Sequence, residues 1–316
     1  MSNSIKFLKL VFPYFFIILF IFLIFNYYQS NKSEFVYLYN IHYKYLITVI
    51  IMCFFYLITE TLILILIINH FKKQISFKHS FLIICCTYFC NTFIQFSGLG
   101  FRAYYLKKYF DISVKNFVFL SLYFILIELL IFSLLGLFSI QIFEIIYLDS
   151  SLILEIKLFL LLIFLSIFLG IQSQGKIINF LKIKNFFVFD TLINFLKDKT
   201  IMPLNHSLLK ACKYYAMQFF LLSGVFYVGY LILDRPDPLY LSFIASTFTD
   251  FSFIFTLTPY AIGISETFLY LSNMNFDLKI SEILFLSNIF RLSMFIIYFP
   301  FGAIFLIYLL KFKKNG

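Results

Sequence analysis

Arg102, Glu128, Asp250, Glu266 and Arg291 lie in or beside long apolar stretches of this 316-residue chain. By insertion scales, an ionisable side chain at the centre of a membrane helix costs roughly 2.5–3.5 kcal/mol, so such groups pair with one another or line a polar path. Guanidiniums and carboxylates at that depth suit two tasks: holding a phosphate-bearing head group with a cationic part, or passing a proton. Arg102 stands four residues after Gly98, at the break Ser97-Gly98-Leu99-Gly100. A guanidinium beside exposed helix-end N–H groups makes a site for phosphate; the same residue also fits the basic rim of a span. Glu266 stands three residues after Gly263, at the break Thr258-Pro259-Tyr260-Ala261-Ile262-Gly263. There a carboxylate either caps a helix N-terminus or receives a cationic head group or a proton.

Depth relates the other charges. Glu128 lies about 20 Å into a helix entered from one side, and Arg291 about 15 Å into a helix entered from the other, at 1.5 Å per residue. In a hydrocarbon core of about 30 Å these depths agree to about one turn. Glu128 and Arg291 are therefore expected either as an ion pair locking two helices or as substrate and gating groups. Asp250, in Ser246-Thr247-Phe248-Thr249-Asp250, is the acid with the least structural explanation, and Glu60 reads as a cap or a cavity-lining group.

The elements that must position these groups are membrane helices. The chain is 62% hydrophobic and 23% aromatic, with 49 Phe and no Trp, and its mean hydropathy is +0.97. That composition excludes an ordinary soluble domain. The fold class is all-α and polytopic in a membrane, a single integral membrane domain over 1–316. Hydropathy places apolar segments at about 10–27, 45–68, 80–97, 115–140, 152–171, 213–233, 240–257 and 281–310, giving six to eight transmembrane helices. Lys6 and Lys9 precede the first, but no small-residue cleavage site follows it, so a retained helix is expected rather than a signal peptide.

Positive charge selects among topologies. If segments 80–110 and 240–273 each dip into the membrane and return, all Lys and Arg but Arg291 fall on the cytoplasmic side except Lys32, Lys44, Lys157, Arg235 and Lys279. The positive-inside rule prefers this arrangement. It has six crossings, two re-entrant hairpins and both termini cytoplasmic. Broken backbone at depth requires a protein or wet-cavity lining, which the two glycine breaks would need.

The halves also repeat. At an offset of 166, Asp111 matches Asp277, Phe119-Leu120-Ser121 matches Phe285-Leu286-Ser287, and Gly136 matches Gly302. Repeat A runs over about 45–140 and repeat B over about 213–310. The charge count makes them inverted, a transporter pattern with its site near the midplane. Between them, a basic segment at about 172–212 interleaves Lys182, Lys184, Lys197 and Lys199 with Phe180, Phe186, Phe187, Phe189 and Phe195. It suits an interface with anionic lipid or serves to fix topology.

Other chemistry has little support. Cys53, Cys85, Cys86, Cys90 and Cys212 show no metal or redox spacing and read as packing residues. His42, His70, His79 and His206 are scattered. There is no Walker A, HExxH or nucleophile elbow. No metal, no cofactor and no nucleic-acid partner are expected.

Asn91, then Gly98-x-x-x-Arg102, Glu128, Pro259-x-x-x-Gly263-x-x-Glu266, Arg291-Leu292 and Gly302 resemble the flippase-like family also called the lysylphosphatidylglycerol synthase transmembrane region. The resemblance covers about 40–312. Two positions depart from the family pattern: Leu99 stands where an acid usually follows the glycine, and Gln95 where a proline usually precedes it. The resemblance implies lipid translocation in a bacterial inner membrane, with an anionic or aminoacylated phospholipid or a lipid-linked glycan as partner, and an enzyme partner supplying it. Larger members fuse the unit to an aminoacyl transferase; no stretch of this sequence has the length for one, so the chain is expected to be a transporter and not an enzyme. The substrate-binding candidates are Arg102, Glu128, Asp250, Glu266, Arg291, Asn91, Gly98 and Gly263. The alternatives are a membrane-embedded transferase, with Asp250 as its acid, and a non-catalytic partner in lipid or polysaccharide biosynthesis.

Overall fold

A computed structural model describes residues 41–147 (apart from position 95), 205–254, 261–272 and 278–312, with isolated positions at 22, 25, 26, 28–30, 32 and 161. The expected spans at 10–27 and 152–171, the Thr258-Pro259-Tyr260 half of the second break, Asp277 and most of the basic segment 172–212 lie outside the described residues.

Eight helices carry the described chain: α1 (Tyr43–His70), α2 (Phe77–Phe93), α3 (Ser97–Phe110), α4 (Val114–Tyr147), α5 (Asn205–Ile232), α6 (Pro238–Ile254), α7 (Ile264–Ser272) and α8 (Ile280–Phe312). Four contain stretches long and apolar enough to cross a membrane: Tyr43–His70, Val114–Ile142, Ser207–Ile232 and Ile280–Leu309. A helix of 28 residues, the length of α1, extends about 42 Å and spans a core of about 30 Å even when tilted. The 17-residue α2 and α6 reach only about 26 Å.

Order and length repeat. Helices of 28, 17, 14 and 34 residues are followed by helices of 28, 17, 9 and 33. The sequence offset of 166 carries Val114 onto Ile280, so α4 and α8 start in one register.

Each short pair is a hairpin. Between α2 and α3 the chain reverses at Phe96, which adopts φ 60°. The N–H of Gly98 then donates to Asn91 Oδ1 at 2.7 Å. Seven residues beyond Gly98, the Tyr105 hydroxyl on α3 bonds His79 near the start of α2, so the two helices run antiparallel. Gly98 is fixed by this close approach. A Cβ there would fall on the Thr87 carbonyl and within 2.7 Å of Asn91 Oδ1. In the second pair α7 packs on α6, with the Phe248 and Phe268 rings 6.2 Å apart. The chain enters α7 through Ala261 at φ 57° and Gly263 at φ 87°, backbone that glycine adopts without a Cβ penalty.

Asp111 closes α3 in the left-handed region at φ 55°. Ile112 N–H reaches back to Leu106 O at 3.3 Å, which satisfies a carbonyl at the end of the helix. Asp tolerates that conformation because its short polar side chain bonds locally.

The described residues fall into two compact units. One holds residues up to Ile58 with Phe81–Phe101 and Phe220–Gly316; the other holds Thr59–Ser80 with Arg102–Phe219. In the first, α8 meets α2 where Phe81 faces Phe301 and Phe89 faces Phe299, at centroid distances of 5.7 and 5.2 Å. Thr92 Oγ1 and the Tyr298 hydroxyl bond at 2.8 Å across the same contact. In the second, Phe132 on α4 stacks edge-on against Phe219 on α5 at 5.3 Å.

Hydroxyls are kept inside. Ser242, Ser246, Thr247, Thr249, Asp250 and Ser252 of α6 are all buried. Several back-bond to carbonyls of the preceding turn, as Thr247 does to Phe243 O at 2.9 Å and Ser252 to Thr249 O at 2.6 Å. Ser246 also meets Ser223 of α5 at 2.7 Å. Pairing of this kind removes the penalty of placing hydroxyls in an apolar interior.

Candidate functional site

The second hairpin delivers a carboxylate to an arginine. Gly263 precedes the first residue of α7, so Glu266 stands at the third helical position. From there its Oε2 accepts the Gly263 N–H at 2.7 Å, the reach-back half of a capping box. That fixes the carboxylate at the positive end of a helix, where negative charge is stabilised. Arg291, eleven residues into α8, meets it from the neighbouring helix.

The contacts form a closed network. Arg291 Nη1 bonds Glu266 Oε1 in an ion pair. Nη2 donates to Ser265 Oγ, to Ala261 O at 3.0 Å and to Glu266 Oε2 at 3.4 Å. The Ser287 hydroxyl donates to Glu266 Oε1 at 2.8 Å, and the Ser265 hydroxyl to Oε2 at 3.1 Å. Arg291 is 7% exposed and Glu266 8%, so the pair is largely desolvated and bound by protein groups. Its partners include the Ala261 carbonyl, freed from helical bonding by the break. This is how irregular backbone is satisfied away from water.

Among the sequence candidates, the structure therefore joins Gly263, Glu266 and Arg291. Arg291 bonds Glu266, Ser265 and Ala261. Depth along two helices left the facing direction open, and the break brings Glu266 to the guanidinium first. Asn91 and Gly98 are joined in the first hairpin. That bond occupies one of the N–H groups expected to meet a phosphate beside Arg102, and the Gly100 N–H goes to Phe96 O at 3.2 Å. Glu128 lies part-buried on α4, and Asp250 lies on α6 at 4% exposure.

Arg102, half-buried on α3, acts electrostatically on Glu60 of α1. Glu60 Oε1 accepts from Gln218 Nε2 at 3.1 Å. Gln218 and the serines 265 and 287 were not among the sequence candidates. Ser287 carried a signal, since it falls in the repeat register opposite Ser121. Gln218 carried none, being one polar residue in the apolar run of α5.

A third charge contact repeats the device. Glu282, third residue of α8, accepts the Lys279 N–H at 2.8 Å and pairs with Arg235. Both α7 and α8 thus begin with a glutamate that caps the helix and holds an arginine. Among the described residues no cluster of three or more His, Cys, Asp or Glu is placed to hold a metal ion. The five cysteines are free thiols.

The family model described as the lysylphosphatidylglycerol synthase TM region matches residues 7–302. Neither a curated protein nor a solved structure matches the chain.

Proposed function

From the premise that the chain belongs to the lysylphosphatidylglycerol synthase transmembrane-region family, as an integral membrane protein of lipid biosynthesis or transport, we propose that it translocates a phospholipid or lipid-linked precursor across a bacterial inner membrane. The observation that carries this reading is the buried Glu266–Arg291 pair at the break of the α6–α7 hairpin. An ionisable pair among apolar helices, beside broken backbone, marks a substrate path in membrane proteins.

The pair defines a closed state. A lipid phosphodiester offers the guanidinium two anionic oxygens for a bidentate contact, as the Glu266 carboxylate does. A head group arriving at α8 competes with Glu266 for Arg291, and the displaced carboxylate takes up a proton or the cationic part of the head group. Departure of the lipid restores the pair. Arg102 receives phosphate in the first repeat. In this reading the two hairpins are re-entrant, the repeats are inverted, both termini are cytoplasmic, and the protein is a transporter rather than an enzyme.

The test is translocation by the purified protein in liposomes. Fluorescent phosphatidylglycerol and a lysyl-modified counterpart are supplied to wild type, Arg102→Ala and Glu266→Gln. Movement that is lost in both variants, with folded protein present, supports the proposal. Equal movement in all three refutes the site. Product formation in detergent, with no second compartment, would favour a membrane-embedded transferase instead.

A further inference from the structure

The polar cluster of the second unit, Glu60, Gln218 and Arg102, holds a buried acceptor that no donor among the described residues meets. Gln218 on α5 is completely buried. Its Nε2 is used, donating to Glu60 at 3.1 Å, while its Oε1 is buried with no hydrogen-bond partner among the described residues. Native proteins leave few buried side-chain oxygens unmatched, and each one needs an explanation such as a bound group. Glu60 adds acceptor capacity through its two carboxyl oxygens. The carboxylate and Arg102 are half-buried, while Gln218 is enclosed.

Charge decides what donor fits. Arg102 acts on Glu60 through its positive charge. An incoming ammonium would meet the like charge of Arg102. A hydroxyl brings donors and no charge.

We infer that Glu60 and Gln218, beside Arg102, form a second ligand site that takes the hydroxyl groups of a polyol head group, a diol or a sugar, through the Gln218 carbonyl and the Glu60 carboxylate. The inference rests on the lipid-handling reading for the source of the ligand. The site itself rests on the unmatched amide oxygen. It makes the cluster a head-group selector, accepting lipids whose phosphodiester carries hydroxyls and passing over those that lack donors.

Equilibrium binding tests this separately from transport. The full chain is purified into phosphatidylcholine nanodiscs and titrated with two fluorescent lipids of identical tails. Phosphatidylglycerol carries hydroxyls. Phosphatidylmethanol carries the same phosphodiester charge and none. Wild type should bind phosphatidylglycerol about tenfold more tightly, the value of one net hydrogen bond. Gln218→Leu should remove the preference, and Gln218→Met serves if the first variant does not fold. Equal affinities in wild type overturn the inference whether or not either variant folds, and so does a preference that survives in a folded Gln218 variant. Glycerol 3-phosphate competing as strongly as the lipid keeps the hydroxyl site and overturns the lipid source. Absent translocation with the binding preference intact refutes the transport reading and leaves the site standing.

Discussion

Removing one partner of the Glu266–Arg291 pair separates its structural from its functional part. Arg291→Met leaves Glu266 with the Gly263 N–H and the hydroxyls of Ser265 and Ser287, and takes the side-chain donor from the Ala261 carbonyl. With both partners under a tenth exposed, the stranded carboxylate has little water to turn to. Breaking a buried pair from one side costs about 3–5 kcal/mol. At this chain length that lowers the melting temperature by roughly 6–10 °C, taking about 2 °C per kcal/mol. Glu266→Gln should fall in the same range, since it strands the guanidinium. The double variant has no charge to strand and should lose only about 1 kcal/mol, because replacing a whole buried pair is often near neutral. The coupling then exceeds about 3 kcal/mol, at or above the upper end for residues in contact. The chain has no Trp, but Cys53, Cys85 and Cys86 are buried free thiols. A thiol-reactive dye therefore reads unfolding directly in detergent. Additive losses, or either single variant within about 0.5 kcal/mol of wild type, would refute the network. If the pair belongs to the transport path, the double variant recovers stability without recovering lipid movement.

Gly98→Ala should destabilise the first hairpin by about 1–3 kcal/mol, the range for overpacking, because its Cβ meets the Thr87 backbone carbonyl; a melting temperature equal to wild type would contradict this. Asn91→Ala should cost about 1 kcal/mol through the lost bond to the Gly98 N–H, while Asn91→Asp keeps an acceptor and should melt within about 2 °C of wild type. Glu282→Ala should cost about 2 kcal/mol, losing both the cap on Lys279 and the bridge to Arg235. Arg235→Ala should cost about 1 kcal/mol or less and become indistinguishable from wild type in high salt, since the Arg235 side chain is 20% exposed.

The sequence by itself determined the all-helical class, the four spanning segments that the structure describes, and the glycines beside the starts of α3 and α7. Apolar runs of membrane length have one stable form away from water, the helix, in which every backbone group is satisfied within the segment. Gly98 and Gly263 showed where that form must stop, and Glu266 was legible as a cap because capping is local, set by a spacing of three. Partner choice was not legible. Arg291 finds Glu266 across 25 residues, and Glu60 finds Gln218 across 158. In a soluble protein the apolar face of a helix points to the core and narrows such choices. Here lipid is as apolar as the interior, so Leu and Phe surround the helices on all sides and periodicity says little about which face turns inward. Exposed Leu292 beside buried Arg291 and Ser293 shows the face only after folding. Tertiary structure decided the pairing because a buried charge must be met by whatever polar group the packing brings within reach.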